Sequence, residues 1–154
     1  MTHDQLAATL ATSLRRPGYS KGFITWENIE FPDMYDLPSK FGAPFGTPCR
    51  PDIFAIQATL TEKNWRPVIY EIKVSRGDFH RDVRADKWKN YFRIAAYVRF
   101  ACPAGLIGEI DLPPGAGLIV FENGKWLQAK RGRMNREWKL TQRQWMNLCL
   151  KRIQ

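Results

Sequence analysis

The chain is short of sulfur and of imidazole. Three cysteines and two histidines stand among 154 residues. Cys49, Cys102 and Cys149 are odd in number, far apart and without a C-x-x-C pair. A full disulfide framework is excluded, and each cysteine reads as a small buried hydrophobe in a reducing cytoplasm. His3 and His80 have no second ligand at zinc spacing, so neither takes a metal role. Long apolar runs are missing as well. The longest, around Gly115 to Phe121, is too short to span a bilayer. The opening Met1-Thr2-His3-Asp4 has neither the basic nor the apolar stretch of a secretory signal, and no basic amphipathic anchor or lipidation motif appears. Gly42 to Gly46 lacks the Gly-Lys-Ser/Thr ending of a phosphate loop, so no nucleotide role is assigned to it. Arg76-Gly77-Asp78 spells an extracellular adhesion motif, a coincidence in a cytosolic chain.

Acidic residues are the other shortage: 15 Asp+Glu stand against 24 Lys+Arg, a net charge of +9. With 44% hydrophobic and 25% charged residues the composition is otherwise that of an ordinary globular domain, and the length suits one domain over 1–154. The excess is unevenly placed. Residues 1–77 carry net +1 and residues 78–154 net +8, all of the latter within Lys125 to Gln154. Such a field calls for a polyanion, nucleic acid before membrane surface.

The periodicity reads as a mixed α/β chain. Thr2 and Gln5 form a capping box ahead of Leu6, Leu10 and Leu14, and Pro17-Gly18 ends that helix. Lys21 to Phe31 reads as a strand. Residues 32–51, with five prolines and two glycines, read as a loop. Ile53–Leu60 and Pro67–Val74 form a hairpin. One helix is expected from about Arg76 to Ala95, with Ser75 and Asp78 as its capping box. Strands follow at Tyr97–Cys102, at Gly117–Phe121 and, after an Asn123-Gly124 turn, at Lys125–Lys130. Thr141 and Gln144 cap a last helix, with Leu140 and Trp145 placed for a hydrophobic staple.

Chemistry concentrates in Arg50-Pro51-Asp52 and, nineteen residues after the Asp, Glu71-Ile72-Lys73. Side chains on a strand alternate, so Glu71 and Lys73 share a face while Tyr70, Ile72 and Val74 share the other. The apolar face is expected to pack under helices, leaving the charged pair opposite. Hairpin pairing brings Asp52 toward Glu71. Two carboxylates with a backbone carbonyl make a hard, all-oxygen site suited to Mg²⁺. Such an ion polarises a phosphodiester and activates water. Lys73 is placed to orient or deprotonate that water. The competing reading is a Pro-Asp turn and the solvated face of a strand.

Pro51-Asp52…Glu71-Ile72-Lys73 resembles the signature of the PD-(D/E)XK nuclease superfamily. The run Glu71-Ile72-Lys73-Val74-Ser75-Arg76-Gly77-Asp78-Phe79, with Asp82, Lys87-Trp88 and Tyr91, is similar to its MmcB-like DNA repair branch and to related phage-encoded proteins. Phe100-Ala101-Cys102-Pro103 and Gly117-Leu118-Ile119-Val120 continue a likeness that covers about residues 50–130. It implies a restriction-endonuclease-like core, a mixed β-sheet flanked by helices, cleaving DNA with Mg²⁺ or Mn²⁺. It implies Asp52, Glu71 and the Ile72 carbonyl as metal ligands and Lys73 as the catalytic lysine. Many members add an acidic residue from the first helix or the next strand; Glu27 is the candidate here and Glu30 the runner-up.

Asp78, Asp82 and Asp86 share a helix face and are expected in caps and ion pairs with Arg81, Arg84 or Lys87 rather than on the metal. Trp88 and Tyr91 read as core residues. Arg50, Arg76, Lys130, Arg131, Arg133, Arg136 and Lys139 are the expected phosphate contacts. The last of these interleave with Trp126 and Trp138, which either stack bases or face the core. The expected partner is DNA, with homodimerisation open and no membrane or small-molecule cofactor. A non-catalytic nucleic-acid-binding module on the same fold is the alternative, and a basic protein-interaction domain the third.

Overall fold

The computed structural model describes residues 1–15, 22–31 and 49–153. The expected helix stop at Pro17-Gly18 and residues 32–48 of the expected loop, with Gly42 to Gly46, lie outside the described residues. Helix α1 (His3–Arg15) begins at its capping box. The Thr2 N–H donates to Gln5 Oε1 at 2.9 Å and the Gln5 N–H to Thr2 Oγ1 at 3.3 Å. Its apolar stripe buries Leu6, Ala7, Leu10 and Ala11. Each leucine contributes about 1.5–3 kcal/mol relative to exposure.

One six-stranded sheet runs in chain order: β1 (Phe23–Glu27), β2 (Ile53–Gln57), β3 (Val68–Ile72), β4 (Tyr97–Pro103), β5 (Gly117–Glu122) and β6 (Lys125–Lys130). The β1–β2, β2–β3 and β5–β6 pairs are antiparallel, whereas β3, β4 and β5 are mutually parallel. The chain is therefore α/β with a mixed sheet flanked by helices. Three strands are shorter than expected, β3 losing Pro67 and Lys73-Val74 from its ends. β1 stops where Asn28 takes φ 52°, and β2 stops before Leu60, which is exposed.

Both sheet faces are covered, which corrects the expectation that the charged residues of β3 lie away from the helices. α1 packs with Ile53, Ala55, Val68, Tyr70 and Ile72. On the other face, Phe54, Ile56, Ile69 and Val98 meet Tyr91, Phe92, Ile94 and Ala95, with Leu148 from the last helix. Phe79 stands edge-on to Phe100 at 5.0 Å. β3 is central and buried along its length, because a strand joining the antiparallel and parallel parts of a sheet is roofed by a crossover helix.

That crossover is two helices, not one: α2 (Arg76–Arg84) and α3 (Lys87–Tyr91). Asp86 between them has φ 54°, a left-handed conformation that aspartate tolerates. The sequence spacing explains the break. Phe79 and Val83 are four apart, but Val83 to Trp88 is five, and the junction absorbs the slip in phase. Ser75 caps α2 through the Asp78 N–H at 3.2 Å.

Helix α4 (Gln142–Ile153) starts at the second capping box, with Thr141 N–H to Gln144 Oε1 at 2.9 Å and Gln144 N–H to Thr141 Oγ1 at 3.1 Å. It is tied to β1 by the Trp26 indole, which donates to the Leu148 carbonyl at 2.9 Å. Cys49 and Cys102 are buried and Cys149 is exposed. No helix among the described residues is long and apolar enough to cross a membrane.

The hairpin β5–β6 turns at Asn123 and Gly124, with φ 49° and 77°, as its residues demand. Just beyond β6 the backbone crosses β5 so closely that a Cβ on Gly117 would lie 2.8 Å from the Arg131 carbonyl oxygen. Gly117→Ala is expected to cost about 1–3 kcal/mol through this backbone clash. Urea unfolding of the variant checks it; an unchanged midpoint would show that the crossing is loose.

Candidate active site

The β2–β3 register pairs Ile53 with Tyr70, so Asp52, one residue before β2, comes opposite Glu71. Asp52 Oδ2 accepts the Ile72 N–H at 2.7 Å, and the Asp52 carbonyl accepts the Asn28 N–H at 2.9 Å. The carboxylate thus ties β2 to the end of β3. His3 Nε2 approaches the same Oδ2 to 3.2 Å. Partial burial opposes protonation of His3, but Asp4 and Asp52 outweigh it and raise the imidazole above its ordinary value.

Glu71 is 2% exposed and Lys73 is 6% exposed. Glu71 Oε1 accepts from Lys87 Nζ at 2.7 Å and Lys73 Nζ at 3.2 Å, while Oε2 accepts from the Tyr91 hydroxyl at 3.0 Å. Burial pushes the Glu71 carboxyl up and the Asp52 charge adds to that, against the pull of Lys73 and Lys87. Lys73 also pairs with Asp82, which Lys87 approaches to 3.7 Å. Burial alone would raise the Asp82 carboxyl, yet the two lysines hold it below the ordinary carboxylate range. Burial likewise works against the Lys87 charge, and Glu71 and Asp82 more than restore it. Tyr91 is raised well above its usual value by burial and by Glu71.

Each unpaired charge in such surroundings would cost several kcal/mol, so the carboxylates and ammonium groups persist only as one network. Buried ionisable clusters occur both at functional sites and in structural ion-pair networks, and this one is a candidate site. The location fits: Glu71 and Lys73 stand at the carboxyl end of parallel strands, where open α/β sheets bind their ligands.

The structure brings Asp52 opposite Glu71 and Lys73 beside it, as the spacing predicts, and Asp52 meets Ile72 through its N–H. It does not bring in Glu27. That residue pairs with Ile53 across the β1–β2 ladder, which sets it on the α1 face rather than the Glu71 face. Its carboxylate is held by Arg15 Nη2 at 2.7 Å. Glu30 offers its backbone carbonyl to Asn147 Nδ2 at 2.9 Å. Asp78 pairs with Arg81 and Asp86 with Lys89; only Asp82 of that helical trio joins the site. His3, Lys87 and Tyr91 were not assigned to the site by sequence. Lys87 and Tyr91 had a legible signal, since residues four apart share a helix face. His3 had none, because its contact is between the start of α1 and a residue 49 positions away.

The basic segment lies elsewhere. Arg133 and Asn135 are held through backbone N–H groups by the carbonyls of Gly115 and Ala96, and Lys139 by that of Arg93. These contacts set it at the entrance to β4, the end of the parallel strands opposite Glu71. Arg131, Arg133, Arg136 and Lys139 are exposed and Lys130 is half-buried. Trp126 and Trp138 pack against the core under α1, so they face inward rather than forming a stacking platform. Arg50 is exposed. Arg76 is engaged by the Leu106 carbonyl at 3.0 Å and Asp111 at 3.3 Å.

No family model matches the chain, and no curated protein matches it. Among solved structures it is similar to SPO1766, a protein of unknown function from Silicibacter pomeroyi, at 18% identity with a TM-score of 0.61. The match covers 98% of this chain and 84% of that one. That likeness establishes a shared fold.

Tyr91→Phe is expected to destabilise the fold by about 1–3 kcal/mol, because the buried Glu71 carboxylate loses the donor on Oε2. Thermal and urea unfolding measure this. A variant as stable as the parent would mean that the hydroxyl is not needed to hold Glu71.

Proposed function

We propose that the chain is a Mg²⁺- or Mn²⁺-dependent deoxyribonuclease of the PD-(D/E)XK type, an endonuclease hydrolysing phosphodiester bonds in repair or recombination. One observation carries the reading: Asp52 faces Glu71 across the β2–β3 register with Lys73 next on the Glu71 face. Among the described residues no group of three His, Cys, Asp or Glu side chains gathers as a metal cage. A full protein cage is not what Mg²⁺ requires. It commonly takes one or two carboxylates and completes its shell with water and substrate phosphate. The donors are of the kind a hard cation takes, two carboxylates with the Ile72 backbone carbonyl beside them.

On this reading Asp52, Glu71 and the Ile72 carbonyl hold the ion. When bound it polarises the phosphate and lowers the pKa of attacking water. Lys73, an ammonium paired with Glu71 and Asp82, would orient that water, whose proton passes to solvent, and offset charge on the phosphoryl oxygens as the P–O bond breaks. Lys87 and Tyr91 keep the Glu71 carboxylate in place. The dense ion pairing supports one alternative, a non-catalytic nucleic-acid-binding module. Two ammonium groups already neutralise Glu71 Oε1, and binding by phosphate contacts needs no divalent ion.

Purified protein incubated with branched, nicked, single-stranded and duplex DNA in Mg²⁺ or Mn²⁺ separates the two. Cleavage that stops in chelator is expected. Lys73→Ala is expected to lower the rate by on the order of 10²–10⁴-fold while leaving metal-free DNA binding intact. Binding without cleavage of any substrate would favour the non-catalytic module, and equal cleavage by Lys73→Ala would remove the lysine from the mechanism.

A further inference from the structure

A second cluster of like charge lies at the other end of the sheet. A cavity of about 200 Å³ opens beside Val68 and Tyr97, the first residues of β3 and β4, and is lined by Arg66, Arg99 and Arg131 with Gln57 and Asn64. No acidic residue lines it. Among the described residues no carboxylate pairs with any of the three guanidinium groups. Three arginines drawn into one small concavity repel each other unless an anion lies between them.

Arg99 is the fixed member. Its guanidinium lies 5.3 Å from the Tyr97 ring centre and 5.8 Å from that of Tyr70, and Nη1 donates to the Tyr70 hydroxyl at 3.3 Å. Stacking on aromatic rings takes away the side-chain freedom that otherwise opposes binding. Its Nε is buried without a hydrogen-bond partner, although buried donors are nearly always satisfied. Nε itself is closed off from solvent, so the guanidinium meets the pocket through its remaining N–H donors, held in position by the two rings. Arg131 and Arg66 arrive from exposed segments on either side, and the amides of Gln57 and Asn64 add neutral donors.

We infer that this pocket binds a phosphate group, with Arg99 as the seated donor and Arg66 and Arg131 closing on it from the rim. The chemistry is shared by a terminal phosphomonoester and by a phosphodiester of a nucleic-acid backbone. The pocket stands apart from Asp52 and Glu71 and does not depend on the nuclease reading.

Calorimetric titration in phosphate-free buffer containing EDTA tests it, with inorganic phosphate as the first probe. The parent protein is expected to bind at a single site. Arg66→Gln combined with Arg131→Gln is expected to weaken binding by roughly tenfold or more for each guanidinium removed. Arg99→Lys, which keeps the charge but not the guanidinium donors, is expected to weaken it as well. The charge-matched pair Lys63→Gln and Lys151→Gln is expected to bind as the parent does. Competition by an oligonucleotide with a 5′-hydroxyl identifies the diester as the natural source, and competition only by its 5′-phosphorylated twin identifies the monoester. No binding of phosphate, or binding that survives the Arg66/Arg131 double substitution, overturns the proposal. EDTA keeps any cleavage silent, so failure here leaves the nuclease reading standing, and a failed cleavage assay leaves this pocket standing.

Discussion

Burial of the Glu71 carboxylate is the constraint around which the rest of the molecule is arranged. A carboxylate removed from water persists only if every oxygen is met by a donor or a positive charge. Lys73 and α3 supply them. The residue two positions on contributes Lys73. α3 contributes Lys87 and Tyr91 from one face, and α2 contributes Asp82, which holds Lys73 in turn. The left-handed Asp86 matters here because it re-aims α3 after α2. Among the described residues Asp52, anchored by the Ile72 N–H, is the negative charge that raises Glu71. Two carboxylates placed face to face at a strand end make the fold less stable than a neutral pair would. Such an arrangement has a reason when the pair meets a cation as part of its work.

Charge is divided along the sheet. The acidic pair lies at the carboxyl end of β3, whereas the arginine pocket and the exposed basic segment lie at the amino ends of β3 and β4. Val68 and Glu71 are three residues apart, about 10 Å of strand. On the proposed function, phosphate is held at one end while chemistry proceeds at the other. Separating the two keeps the arginines from neutralising the carboxylates that must receive the ion.

Much of this was legible in the residues, and the parts that were not share a cause. Both capping boxes, the Asn123-Gly124 turn and the convergence of Asp52 with Glu71 are local or two-strand features, and spacing alone sets them. The helix break at Asp86 also had its trace in the five-residue step from Val83 to Trp88. Which face of β3 meets which helix was not legible, because alternation says that Glu71 and Lys73 share a side without saying what covers it. Glu27 failed as a site acid for the same reason: its strand face depends on the β1–β2 register. His3 at Asp52 and the meeting of Arg66, Arg99 and Arg131 join residues from distant segments, and no pattern along the chain encodes that. The tryptophans between the tail's basic residues illustrate the point, since periodicity could not choose between stacking platform and core, whereas packing places both inward.

Whether Asp52 and Glu71 together form a divalent-cation site is measured by Mn²⁺ titration followed by electron paramagnetic resonance. The parent protein is expected to take up Mn²⁺, Asp52→Asn and Glu71→Gln each to abolish the uptake while remaining folded, and added Mg²⁺ to displace the bound ion. Uptake unchanged in both folded variants, or no uptake by the parent protein, would contradict such a site.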